Sequence, residues 1–301
     1  MSHDKWYSKD VPDQSGRVGI VTGASSGIGY ETARILAEKN AKVIIAVRNP
    51  EKGNNALNKI KAGYSKADLS VMELDLADLK SVKQFAEVYK KEYKQLDLLI
   101  NNAGVMIPPY SKTTDGFELQ FGTNHLGHFA LTGLLLDVVK KTAGSRIVNV
   151  SSMAHTQGNI NFDDLNWEKR KYTPWKAYGD SKIANLYFTY ELAKKLGSAK
   201  DTPLVVAAHP GWTATELQRH SGLMSFLNNL FAQKIEMGAL PTLYAAVASD
   251  VKSGDYFGPS GFKEIRGYPK KVESNALSKD TAIAKKLWDI SEELTGITYN
   301  L

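Results

Sequence analysis

The chain has 301 residues, with 38 basic and 32 acidic side chains for a net charge of +6, and no cysteine. Without cysteine there are no disulfides, zinc–thiolate sites, iron–sulfur clusters or cysteine nucleophiles, and the longest apolar run, Leu243 to Ala248, falls far short of the ~18 residues a membrane span needs. The basic residues are scattered in pairs such as Lys140-Lys141 and Lys270-Lys271, with Lys169-Arg170-Lys171 the densest cluster; this reads as a solvated surface with some pull on an anionic cofactor, and no nucleic-acid partner is expected. Met1 to Gln14 carries five charges and no apolar stretch, so neither a signal peptide nor a membrane span is expected, and the cytoplasm is the expected location.

In chain order, short apolar runs alternate with helical patterns. Val18 to Val21 reads as a strand, followed by a glycine-rich loop and a helix through Lys39. Val43 to Val47 is β-branched and unbroken, as in a strand covered on both faces. A helix is predicted from about Pro50 to Gly63, with proline in its first turn and glycine at its end. Leu69 to Leu74 and Leu96 to Ile100 read as strands around a helix from Leu79 to Tyr93. Gly116 to Lys141 reads as a long amphipathic helix and Arg146 to Val150 as a strand. A helix from Trp175 to Leu196, stopped by Gly197, precedes a last strand from Leu204 to Ala208. The alternation predicts an α/β fold, a single doubly wound, Rossmann-type parallel sheet with helices on both faces. No composition shift marks a boundary, so residues 16–301 are expected to form one domain behind an N-terminal extension, 1–15.

The loop after the first strand is Thr22-Gly23-Ala24-Ser25-Ser26-Gly27-Ile28-Gly29. Glycines there permit a tight turn and close backbone approach to a pyrophosphate, and the helix N-terminus offers unpaired N–H groups. Gly23, Ser25, Ser26, Gly27, Ile28 and Gly29 are therefore candidate cofactor-binding residues. Gly23 to Gly27 also fits the G-x-S-x-G elbow of hydrolases, with His209 downstream. Such an elbow normally follows several strands, and only one precedes Ser25, so the nucleotide reading is preferred. At the end of the second strand, where a ribose 2′-OH would want a carboxylate, stand Val47, Arg48 and Asn49. The planar fork of Arg48 suits a 2′-phosphate, so the expected cofactor is NADP(H).

Tyr178 and Lys182 stand four apart at the start of a predicted helix and share one face. At ~5 Å and an effective dielectric of ~20 their attraction is about 3 kcal/mol, which would draw a phenol from ~10 toward ~8. A proton donor tuned in this way suits carbonyl reduction. Ser151 and Ser152 follow the strand Arg146 to Val150 at the edge where such sheets place ligands, and the residues alone do not choose between them. Asn124 lies inside the long helix, where asparagine is unfavourable, so a local role is expected.

Together these residues resemble the short-chain dehydrogenase/reductase family over roughly Gly16 to Leu217, two thirds of the chain. The marks are the glycine loop, Asn101-Asn-Ala-Gly104, Asn124, the serine pair, Tyr178-x-x-x-Lys182 and His209-Pro-Gly211. Runs such as Thr123 to Phe129 and Arg146 to Ser152 look like the retinol-dehydrogenase and WW-domain-oxidoreductase branch. The resemblance implies Ser152 as the catalytic serine, Tyr178 as general acid and base, Lys182 on the nicotinamide ribose, and Asn124 holding a water in a proton relay. It also implies Asp75, beside Leu76, on the adenine, and Asn102, Ala103 and Gly104 along the adenosine. Pro210, Gly211, Thr213 and Thr215 would approach the nicotinamide. No metal is implied, and the six histidines show no H-E-x-x-H spacing.

The substrate side carries Phe162, Trp167, Tyr172 and Trp175 within the 25 residues between Ser152 and Tyr178. Leu217, Leu223, Met224, Phe226, Leu227, Leu230 and Phe231 follow, in a stretch of about 215–234 that the resemblance makes an apolar lid. These features suggest a hydrophobic aldehyde or ketone as the small-molecule partner. The expectation is an NADP(H)-dependent carbonyl reductase or alcohol dehydrogenase, with a retinol/retinal-type dehydrogenase and a non-enzymatic NADP-binding regulator as alternatives. A monomer and a homo-oligomer both remain open.

Overall fold

Runs of valine and isoleucine without polar alternation need cover on both faces. In a computed structural model, which describes residues 5–199, 201–213 and 233–301, such runs form the centre of one sheet. Its strands are β1 (Val18–Thr22), β2 (Lys42–Val47), β3 (Asp68–Glu73), β4 (Leu98–Asn101), β5 (Arg146–Val150), β6 (Leu204–Ala208), β7 (Tyr256–Pro259) and β8 (Pro269–Lys271). They lie in the order β3-β2-β1-β4-β5-β6-β7-β8. Neighbours from β3 through β7 pair in parallel, and only β8 runs antiparallel to its partner.

The helices are α1 (Gly27–Glu38), α2 (Pro50–Gly63), α3 (Leu79–Glu92), α4, α5 (Pro174–Leu196), α6 (Ile235–Val247) and α7 (Thr281–Thr295). Helix α4 runs through Leu119–Phe121, a π-helical turn at Gly122–Leu126, and Gly127–Lys141. Alternate side chains of the strands go to opposite faces. Val21, Val43 and Ile45 pack with α1, α2 and α6, while Ile20, Ile44 and Ile147 pack with α3, α4 and α5. The doubly wound sheet expected from the alternation is therefore present, in a single α/β domain. Strand and helix limits move by one to three residues: the long helix begins at Leu119 rather than Gly116, and β4 at Leu98 rather than Leu96.

Chain order reverses at β1. The path goes outward from β1 to β2 and β3, then returns to the other side of β1 as β4. The two loops leaving β1 and β4 diverge there and open a crevice, the usual ligand position in this kind of sheet.

Beyond Ala208 the sequence pattern predicted no further strand or helix, yet α6, β7, β8 and α7 complete the sheet and its cover. Trp288 of α7 meets Tyr299 at 4.5 Å and Phe129 of α4 at 5.1 Å between ring centroids. The Tyr299 hydroxyl donates to the Phe129 carbonyl at 2.6 Å. No described helix is long and apolar enough to cross a membrane. Trp288 is almost wholly buried in this aromatic cluster, so Trp288→Ala is expected to cost about 3–5 kcal/mol in urea unfolding; a loss below about 1 kcal/mol would mean that α7 is not part of the core.

Candidate active site

Parallel strands deliver the loops after them to one edge, and a cleft of about 1250 Å³ lies there. It runs from the glycine loop, across the ends of β1 and β4, to the ends of β5 and β6. Gly23, Ser25, Ser26, Gly27, Ile28 and Gly29 all line it. A Cβ on Gly29 would stand 2.6 Å from the Gly23 carbonyl oxygen, so only glycine lets α1 begin this close under the loop. The Ser26 side chain makes no capping bond, and the first turn of α1 holds no acidic residue. The positive end of the helix dipole is thus left for an anion.

Arg48 is exposed on the rim of the cleft and has no hydrogen-bond or ion-pair partner among the described residues. Asn49 also lines the cleft, but its side chain caps α2, accepting from the Lys52 N–H at 3.0 Å. Lys52, Asn55 and Lys59 of α2 reach the same rim. Sequence reasoning missed these three, although their spacing of three, four and seven along a helix starting at Pro50 was a usable signal.

Asp75 and Leu76 line the cleft beyond β3, and the Asp75 carboxylate accepts from the Ala77 N–H at 2.9 Å. Asn102, Ala103 and Gly104 form the wall after β4. The backbone N–H groups of Asn102 and Ala103 both donate to Thr22 Oγ1 at 2.9 Å. The cleft thus combines an uncapped helix end, an arginine without a partner among the described residues and room for a dinucleotide, and its residues fit a nicotinamide dinucleotide.

Tyr178 and Lys182 lie on α5, one turn apart and both buried, at the wall of the same cleft. Lys182 Nζ donates to the Val150 carbonyl at 3.1 Å and sits 5.6 Å from the Tyr178 ring centroid. The strand end separates the two serines. Ser151 lines the cleft and its Oγ donates to the Lys182 carbonyl at 2.9 Å, whereas Ser152 Oγ accepts from the Ala154 N–H at 3.1 Å and bears on the Tyr178 phenol, favouring its ionised form. Asn124 occupies the π-helical turn, its amide paired both ways with the Val105 backbone and donating to Ser181 Oγ at 2.9 Å. A Cβ at Gly104 would lie 3.0 Å from Asn124 Oδ1 and 3.6 Å from Lys182 Nζ, so these two side chains converge on one backbone point.

Pro210 lines the cleft, and Thr213 Oγ1 donates to its carbonyl at 2.9 Å. Gly211 backs onto the Glu264–Ile265 backbone instead of facing the cleft. Thr215 and most of the 215–234 stretch lie outside the described residues. The expected aromatic wall is corrected. Trp167 is buried beneath Arg170, Tyr172 donates its hydroxyl to Glu118 at 2.8 Å, and Phe162 packs under Lys286. These three are packing residues; only Trp175 is exposed, edge-on to Tyr178 at 6.5 Å. Val105, Met106, Pro108 and Ile235, which the sequence reading did not single out, supply apolar lining.

The expected acidic phenol is also corrected. Burial pushes Tyr178 up to about 12, opposed by the Ser152 hydrogen bond, and burial pushes Lys182 down to about 8. A charge on either group must leave water, and that penalty exceeds the attraction across the gap. Tyr178 therefore stays protonated at neutral pH. Because the Lys182 ammonium is disfavoured by folding, its contribution to stability improves as pH rises from about 8 toward the unfolded value. Chemical-shift titration of labelled lysine Nζ is expected to show one midpoint near 8 that disappears in Lys182→Met; a lowest lysine midpoint above about 10 would contradict this burial.

The comparisons agree with this geometry. The family described as short chain dehydrogenase matches residues 17–224. Retinol dehydrogenase 12 of Mus musculus is 47% identical over 289 residues, covering 94% of this chain and 88% of that protein. Retinol dehydrogenase 13 of Homo sapiens is 43% identical, covering 94% and 85%. The crystal structure of an uncharacterized protein from Mycobacterium paratuberculosis superposes with a TM-score of 0.83 at 43% identity, covering 99% of this chain and 100% of that one. The NADP complex of Pseudomonas aeruginosa RhlG, at 24% identity, a TM-score of 0.65 and coverage of 81% and 94%, shares the fold. The chain belongs to the short-chain dehydrogenase/reductase family, oxidoreductases that act on CH–OH and C=O groups with a nicotinamide cofactor.

Proposed function

We propose that the protein reduces a hydrophobic aldehyde or ketone with NADPH and catalyses the reverse oxidation of the alcohol. The observation that carries this reading is the meeting of Tyr178 and Lys182 in the cleft that also holds the glycine loop, with the Ser152 hydroxyl acting on the phenol. A bound NADPH supplies the hydride. Ser152 and Tyr178 hold the carbonyl oxygen, and Tyr178, protonated at neutral pH, gives that oxygen its proton. Lys182 places a cation beside the phenolate left behind. Asn124 holds the Val105 backbone and Ser181 next to that lysine, the position for a relay that returns the proton. A regulator that only binds the dinucleotide has no use for this proton-handling set.

Arg48 supports the phosphorylated cofactor, since its fork is free at the rim and Lys52 and Lys59 add charge on the same side. Val105, Met106, Pro108 and Ile235 support an apolar substrate. The relatives named retinol dehydrogenase favour a second reading of the same chemistry, a long conjugated alcohol and its aldehyde.

NADPH oxidation with a panel of aromatic, aliphatic and retinoid aldehydes tests the proposal. Turnover is expected with apolar members, and Tyr178→Phe is expected to lose at least about a hundredfold in kcat while still binding NADPH. Retained turnover in that variant would remove Tyr178 as proton donor. In Arg48→Asp the preference of kcat/KM for NADPH over NADH is expected to fall by about tenfold or more, the loss of a charge-assisted contact. An unchanged ratio would remove Arg48 from cofactor selection.

A further inference from the structure

The turn after β6 and the turn between β7 and β8 are locked together outside the cleft. The Trp212 N–H donates to the Ile265 carbonyl at 2.7 Å. Gly211, at φ 65°, brings its Cα against the same strand of backbone, and a Cβ there would lie 2.5 Å from the Ile265 oxygen. Gln233 ties the two turns a second time, donating to the Pro210 carbonyl at 2.7 Å and accepting from the Gly267 N–H at 3.1 Å.

His209 sits between them, fully buried. Its Nδ1 accepts the Gly211 N–H at 3.2 Å. A neutral imidazole with one accepting nitrogen carries its proton on the other. Nε2 is then the donor to Glu264 Oε2 at 2.9 Å. The carboxylate thereby selects the tautomer that can hold the Gly211 amide. Room for the ring comes from Gly258, where a Cβ would lie 2.0 Å from Nε2.

Glu264 reaches this position at a cost. Lys263 and Glu264 are consecutive non-glycine residues in the left-handed region, at φ 48° and 57°. Such a conformation persists only where the surroundings over-determine it, and it clusters at functional sites. Glu264 does not line the cleft, but Pro210, one residue after His209, does.

Resting on the reading that the Pro210–Thr213 turn borders the nicotinamide, we propose that Glu264 is a positioning residue. Its carboxylate orients His209, and His209 holds the Pro210–Gly211 turn that presents the nicotinamide ring to Tyr178. The adenosine end of the cofactor, on the far side of the cleft, is independent of it.

The test compares Glu264→Ala with Glu264→Gln, whose amide oxygen still accepts the Nε2 proton. The Ala variant is expected to lose about ten- to a hundredfold in kcat/KM for NADPH, as a misplaced reacting group does. Its primary isotope effect with 4-deuterated NADPH is expected to rise, because hydride transfer becomes slower relative to the other steps. Adenosine 2′,5′-bisphosphate, which lacks the nicotinamide, is expected to bind both variants as tightly as wild type. The Gln variant is expected to stay within about fivefold of wild type, the difference between a neutral and a charge-assisted hydrogen bond. Wild-type turnover with an unchanged Ala variant would overturn the role of Glu264 alone. Parallel weakening of the bisphosphate would show general damage and would also overturn it. A wild-type protein with no NADPH turnover would overturn the cofactor reading and this role with it.

Discussion

The crevice depends on one buried hydroxyl. Thr22 ends β1 at zero exposure, and its Oγ1 accepts the backbone N–H groups of both Asn102 and Ala103. The same atom meets His128 Nε2 of α4 at 2.9 Å, while His128 Nδ1 donates to the Asn124 carbonyl at 3.0 Å. A pair of acceptor lone pairs and one proton are thereby shared among β1, the loop after β4, and α4. The ends of two strands that diverge at the switch point need such a tie, because their own ladder stops there. The Asn102 side-chain amide adds a second tie, donating to the Thr22 carbonyl at 2.8 Å.

A second polar chain extends the tie toward the proton-handling groups. Asn101 donates to Thr132 and to Asn149, Asn149 donates to Thr189, and Thr189 donates to the Asn185 carbonyl. Asn185 and Lys182 then donate to the same Val150 carbonyl. Buried polar groups of this kind are costly when unpaired and rigid when paired. Here they run between the sheet and α5 and set the height at which Lys182 and Tyr178 meet the strand ends. The arrangement buries the Lys182 ammonium and the Tyr178 phenol side by side at the strand ends.

The parts of the fold that were legible in the sequence are those governed by local pattern. The unbroken run Val43 to Val47 could only be a strand with two covered faces, and Pro50 and Gly197 mark helix ends by backbone chemistry alone. The region after Ala208 was not legible because its signals are weak. Strands β7 and β8 are short, one containing and the other opening on proline, and α6 carries Pro241 within it. Their structure comes from pairing with a sheet edge already formed.

Within the site, the sequence by itself determined which chemical groups are present and that they arrive at one edge: a glycine turn before a helix, an arginine in place of a carboxylate, a serine pair after β5, and a tyrosine and lysine one helical turn apart. Only the tertiary structure gave Ser151 and Ser152 different partners, turned three of the four aromatics into packing, and brought Glu264 to His209 across 55 residues. It also reversed the expected shift of Tyr178, from acidic to held protonated. The physical reason is common to all four. Spacing along a chain fixes which side chains share a face, but burial, and with it the cost of charge and the choice of partner, is set by elements distant in sequence.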